Sequence, residues 1–217
     1  MHAFPPWNLQ ANGVSPGAIW AFSNADEVEL LVNGASQGRV PMPLYGHAAW
    51  PAVPYVPGSY TVNAYATNAS VPSASKTVTT AGAPAALRIS IKDGMPGPLG
   101  LIAGCKDVAL VQVEVVDASG VVVPSAGNNV TFTVSGSAGA ALGGTGSGDP
   151  SDHTNDKSPS RPAFHGMVLA VVLGGAAPGT ATVAAAADGL APVSIDIPQV
   201  APPAGWSAPW CHTNPVL

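Results

Sequence analysis

Apolar and polar residues alternate at a period of two along most of this chain, and that alternation leaves few architectures open. In residues 59–66, Tyr60, Val62, Ala64 and Ala66 fall on one side, with Thr61, Asn63 and Tyr65 on the other. Leu87, Ile89 and Ile91 alternate with Arg88, Ser90 and Lys92. Val111, Val113 and Val115 alternate with Gln112 and Glu114, and Val130, Phe132 and Val134 with Asn129, Thr131 and Thr133. A strand points successive side chains to opposite faces, so each run offers one face to a core and one to water. The 25 glycines and 23 prolines in 217 residues work against long helices, because proline lacks an amide donor and glycine costs backbone entropy. Hydrophobic residues make up 47% of the chain, enough to build a core. Short strands separated by turn signals predict an all-β chain of sandwich type.

The turns support this. Asn33-Gly34 follows the apolar run 27–32 and suits a type I′ hairpin, which needs positive φ at both central residues. Asp117-Ala118-Ser119-Gly120 is expected to join two valine-rich strands. Residues 167–173 and 179–187 are rich in alanine and compatible with helix. Their glycines, Pro178 and the β-branched Thr180, Thr182 and Val183 favour two strands joined by a turn. A short linker is expected at residues 81–85, Ala-Gly-Ala-Pro-Ala. It divides the chain into two immunoglobulin-like sandwiches, 1–82 and 83–200, followed by an irregular tail, 201–217.

Charge excludes several partners. Seven lysines and arginines against 12 acids give a net charge of -5, too few cations for a phosphate-tracking surface, so no nucleic acid is expected. No apolar run approaches the ~20 residues of a membrane span, and no basic cluster marks an anionic membrane. MHAFPPWNLQ lacks the charged and apolar regions of a signal peptide. Cys105 and Cys211 do not make a disulfide framework and assign no compartment.

Candidate chemistry is sparse. Glycoside hydrolysis needs two carboxyl groups across a cleft. The only glutamates are Glu27, Glu29 and Glu114. Glu27 and Glu29 lie two apart on one strand and share its outward face, and Glu114 alternates outward from a valine strand, so no catalytic residue is assigned. Residues 146–161, GSGDPSDHTNDKSPSR, hold Asp149, Asp152 and Asp156. Such an oxygen-rich loop is a calcium candidate. Its spacing does not match an EF-hand, and a solvated loop with Asx turns at Asp149 and Asp152 is the alternative. The five histidines show no metal spacing, and no cofactor is called for. Trp20, within Ala18-Ile19-Trp20-Ala21-Phe22, is expected in the core. Trp7, Tyr45, Trp50 and Tyr55, in segments rich in proline and poor in charge, are the candidates for an interface or for stacking on sugar rings.

Ordered motifs carry a family resemblance. PWN (6–8), IWAFSNADEVELLVNGASQGR (19–39), VPYVPGSYTVNAYA (53–66) and VTTAGAPAALR (78–88) resemble the immunoglobulin-like domain behind the catalytic barrel of β-galactosidase-type family 2 glycoside hydrolases. The run from 106 to 136, with GDPSDH (148–153), RPAFHG (161–166) and APGTATVAAAADGL (177–190), resembles the next C-terminal domain of those enzymes. The resemblance implies a non-catalytic accessory pair that packs on or beside a barrel. The family's catalytic glutamates lie on that barrel, one of them preceded by asparagine, and no Asn-Glu pair occurs here. A stand-alone carbohydrate- or cell-surface-binding protein is the alternative.

Overall fold

The alternating runs pair into antiparallel sheets. A computed structural model describes residues 1–8, 17–92, 100–105, 107–136 and 139–204, and none of these is helical. Two units divide between Gly82 and Ala83, each a β-sandwich of immunoglobulin-like type.

The first unit holds β1 (His2–Phe4), β2 (Gly17–Phe22), β3 (Glu27–Val32), β4 (Ala35–Pro41), β5 (Ala48–Val53), β6 (Ser59–Tyr65) and β7 (Ala74–Thr79). They form a three-stranded sheet, β1-β2-β5, and a four-stranded sheet, β4-β3-β6-β7. Val28, Leu30 and Val32 from β3, Tyr60, Val62 and Ala64 from β6, Ile19 and Ala21 from β2, and Trp50 from β5 fill one core. A one-residue slip of β3 would expose all three of its core side chains at roughly 1.5–3 kcal/mol each, which holds the register. The Asn33-Gly34 turn has φ of 48° and 83°, as a type I′ hairpin requires. Asn33 also ties this turn to the next one: its Oδ1 accepts from the Ser59 N–H at 2.8 Å and its Nδ2 donates to the Pro57 carbonyl at 3.2 Å.

The second unit holds β8 (Ala86–Ile91), β9 (Leu101–Ile102), β10 (Val108–Val116), β11 (Asn129–Gly136), β12 (Ala141–Gly146), β13 (Ser160–Pro162), β14 (Met167–Leu173), β15 (Gly179–Ala187) and β16 (Leu190–Val200). One sheet runs β12-β14-β10-β8, the other β13-β11-β15-β16-β9. The alanine-rich segments are strands β14 and β15, with Val168, Ala170, Val172, Ala181, Val183 and Ala185 turned inward. The residues after Asp117 differ from expectation. Asp117 does build the turn, its Oδ1 accepting from the N–H groups of Ser119 and Val121 at 2.8 and 2.9 Å. Beyond it only an isolated bridge, Val116 to Val122, forms, because Pro124 brings no amide donor to extend a ladder. Cys105 is disulfide-bonded. Cys211, and the expected irregular tail from residue 205 onward, lie outside the described residues.

Candidate functional site

The three glutamates are all engaged in sheet-surface networks. On β3, Glu27 pairs with Arg39 at 2.6 Å. Its neighbour Glu29 accepts from Ser36 Oγ at 2.6 Å and from the Tyr65 hydroxyl at 2.9 Å. Those two donors, Ser36 first, hold the Glu29 carboxyl below the ordinary glutamate value, while burial and the Glu29 bond push the Tyr65 phenol up. The Arg39 guanidinium lies 3.9 Å from the Tyr65 ring centroid. That contact covers a ring on the polar side of β6, which alternation alone assigns to water. Glu114 on β10 binds Arg88 at 2.7 Å and Gln112 at 3.0 Å. A general acid needs a raised pKa and an open approach. Glu29 has the opposite shift, and each of the three carboxylates already holds a protein donor.

The acidic loop between β12 and β13 closes on an arginine. Arg161 lies on β13 with its side chain 5% exposed. It donates to Asp152 Oδ2 at 2.7 Å, Asp156 Oδ1 at 3.2 Å, the Thr154 carbonyl at 2.9 Å and Thr145 Oγ1 at 3.2 Å. Asp149 makes an Asx turn, accepting from the Ser151 N–H at 2.8 Å and its hydroxyl at 2.7 Å. Calcium needs six to eight oxygens converging on one point. Here the Asp152 and Asp156 oxygens converge on a guanidinium, and Asp149 turns onto its own backbone. Among the described residues no group of three or more His, Cys, Asp or Glu side chains is placed to hold a metal.

The aromatic candidates separate. Trp7 is fully buried and donates from Nε1 to the Val56 carbonyl at 2.9 Å. It meets Tyr55 and Tyr60 edge-on, at centroid distances of 5.0 and 5.3 Å. Beside it Asn8 exchanges hydrogen bonds with Ala81, closing the start of the unit onto its end. Trp50 is 7% exposed and its Nε1 has no partner. Neither tryptophan presents a face to a partner or a sugar, which corrects the expectation placed on them. Proline-rich flanks suggest a surface position, yet the antiparallel pairing of β5 with β2 sets Trp50 opposite the buried Ile19. Tyr55 is half-buried, its hydroxyl 3.3 Å from Thr80 Oγ1. Tyr45 alone of the four is wholly exposed, at 100%, on a turn with φ of 59°.

The exposed rings lie on the outer face of β1-β2-β5. Trp20, expected in the core, is 41% exposed and Phe22 is 40% exposed. The smaller Ile19 and Ala21 are the inward residues of β2. Phe4 pairs across the strands with Trp20, and His2 with Phe22. Phe4 stacks on Phe22 at 5.6 Å and 14°, and meets Trp20 edge-on at 5.2 Å. His47 lies 5.6 Å from Trp20 and 5.3 Å from Phe22, and His2 lies 5.8 Å from Phe4. Strands β1, β2 and β5 contain no Asp, Glu, Lys or Arg. The signal was present in the sequence: alanine sits between the rings in both His2-Ala3-Phe4 and Trp20-Ala21-Phe22, and one face of each strand must be outside.

The two tryptophan cores allow a direct comparison. Trp7→Phe removes a donor and leaves the Val56 carbonyl without its partner, whereas Trp50→Phe removes a donor that has none. Trp7→Phe is therefore expected to cost about 1 kcal/mol more than Trp50→Phe. Urea melts of both variants check this, and equal losses would contradict the hydrogen-bond assignment.

Residues 99–196 match the family model described as glycoside hydrolase family 2 C-terminal domain 5, and residues 15–71 match a domain of unknown function, DUF4982. A β-galactosidase of Bacteroides ovatus is 38% identical over 195 residues, which cover 88% of this chain and 21% of that protein. A β-glucuronidase of Formosa agariphila is 33% identical over 156 residues, 71% of this chain and 15% of that protein. Among solved structures, a β-glucuronidase from glycoside hydrolase family 2 superposes with a TM-score of 0.77 at 28% identity, over 92% of this chain and 20% of its own. The chain thus spans about a fifth or less of the length of these relatives.

Proposed function

We propose that these two sandwiches, the second of which matches the glycoside hydrolase family 2 C-terminal domain 5, are the accessory module pair of such an enzyme, accompanying a catalytic barrel that lies outside this chain. The observation that carries this reading is the match of residues 99–196 to the family's C-terminal domain 5, in relatives four-fifths of whose length lies elsewhere. The engaged state of Glu27, Glu29 and Glu114 supports a structural role for this chain's acids. The parent activity in this reading is hydrolysis of a β-glycoside of the galactoside type, by analogy with the Bacteroides ovatus relative.

The purified chain is expected to release no nitrophenol from a nitrophenyl β-galactoside, because Glu27, Glu29 and Glu114 are each engaged on a sheet surface and no pair of opposed carboxyl groups stands among the described residues. Turnover that persists through purification and disappears on replacing Glu27, Glu29 or Glu114 would overturn the reading. A barrel-encoding frame at the same locus supports it. Tyr45 favours a second reading, contact with carbohydrate, since its exposed ring is free to stack. Retention on insoluble polysaccharide, lost in Tyr45→Ala, is its test.

A further inference from the structure

We infer that the outer face of β1-β2-β5, built on Phe4, Trp20, Phe22 and His47, is the surface that seats the first unit against the catalytic portion of a family 2 glycosidase. This rests on the accessory reading above. Two sequence facts select a protein as the occupant. Relatives that share these sandwiches carry about four-fifths of their length outside them, so a large body of polypeptide accompanies the pair. The three strands under the rings bear no formal charge, and interface cores are depleted in charge and enriched in aromatics.

Ring geometry argues against a sugar on this face. A pyranose stacks on an open ring face. Phe4 and Phe22 lie 14° from parallel at 5.6 Å, and Trp20 meets Phe4 edge-on at 5.2 Å, so these rings engage one another rather than standing as a single open platform. Such a cluster of mixed faces and edges packs against aliphatic and aromatic side chains of a protein surface. The other outer face of the unit contrasts with it. On β4-β3-β6-β7, Glu27, Glu29, Arg39 and Tyr65 satisfy one another, which is the chemistry of a solvated surface. Next to the ring cluster in sequence, the turn before His47 exposes Leu44 at 83% and Tyr45 fully, adding apolar area at the rim.

Hydroxyl-radical footprinting read by mass spectrometry tests this on the 217-residue chain alone and on the assembled enzyme that contains it, whether the barrel is encoded in frame or as a separate polypeptide. Phe4, Trp20 and Phe22 are expected to oxidise readily in the chain alone and about tenfold more slowly in the assembly. Trp20→Ser with Phe22→Ser is expected to loosen the assembly, with barrel association at least about thirtyfold weaker or the joined enzyme melting lower. Both side chains stand outside the core, so the isolated variant is expected to fold, with a lowered but still cooperative melting transition, and Trp20→Phe with Phe22→Tyr restores docking. Equal oxidation in an assembly that hydrolyses its glycoside overturns the docking face and leaves the accessory reading standing. Failure to find any accompanying barrel overturns both. Protection that rises with the concentration of the chain alone marks a second copy as the occupant, and protection by added polysaccharide marks a sugar; either result overturns the proposal.

Discussion

Phe132→Ala is expected to destabilise the second sandwich by about 3–5 kcal/mol, the largest loss of any single truncation in that unit. Phe132 is 1% exposed and is the largest fully buried side chain among the unit's described residues. Its cross-strand neighbour on β15 is Ala185, and Ala109, Ala170 and Ala181 are also buried in this core. With alanine opposite it on β15, little side chain on that strand can fill the vacated space, so much of the cavity term persists. Guanidinium unfolding of the variant, followed at the second unit's transition, measures the loss. A cost below about 1 kcal/mol would mean that β11 is shifted by one residue and Thr131 or Thr133 faces inward.

Arg161→Ala is expected to cost roughly 3 kcal/mol, as expected for removal of one partner from a largely buried ion pair. The figure sits at the lower end because Asp156, one of its two acids, is 94% exposed. The loss should be local as well. Without the guanidinium, the Thr154 carbonyl and Asp152 lose their tie to β13, and limited proteolysis should cut within residues 148–158. Added calcium or a chelator should leave the wild-type melting temperature unchanged, which separates the arginine clamp from a cation site. The clamp also fixes the sign of the acid response. Hydrogen bonds from Thr154, then Arg161, hold the Asp152 carboxyl below its ordinary 3.8. Its contribution is therefore complete above that value and is lost as pH falls through the folded-state pKa. A melting temperature that rose on acidification below pH about 4 would contradict this.

The two clamp partners belong to motifs that the chain displays separately, GDPSDH at 148–153 and RPAFHG at 161–166. Asp152 reads as an oxygen donor in a polar loop and Arg161 as a lone cation on a short strand. Their 2.7 Å contact depends on how the loop folds back over β12, where the Thr145 N–H donates to the Asp156 carbonyl at 2.8 Å. Gly144 permits that approach, since a Cβ there would stand 2.6 Å from the same carbonyl oxygen. The PWN motif at 6–8 has the same character. Its residues alone suggest a surface aromatic, and the interior place of Trp7 is set by distant partners, the Val56 carbonyl and the Tyr60 ring, with Asn8 closing onto Ala81 beside it.

The sequence by itself determined the secondary structure class, the Asn33-Gly34 and Asp117 turns and the inward residues of β6, β10 and β11, together with the family resemblance. These follow from local rules, since strand alternation and positive φ at a turn act over a few residues and need no distant partner. Only the tertiary structure decided which face of each aromatic strand is the core. Ile19-Trp20-Ala21-Phe22 alternates equally well in either phase, and residue size pointed to the wrong one. The choice was made across the sandwich, where Trp7, Trp50 and Tyr60 already fill the interior of the first unit. With that volume taken, small Ala3 and Ala21 turn inward, and the rings of Phe4, Trp20 and Phe22 are left on the outside.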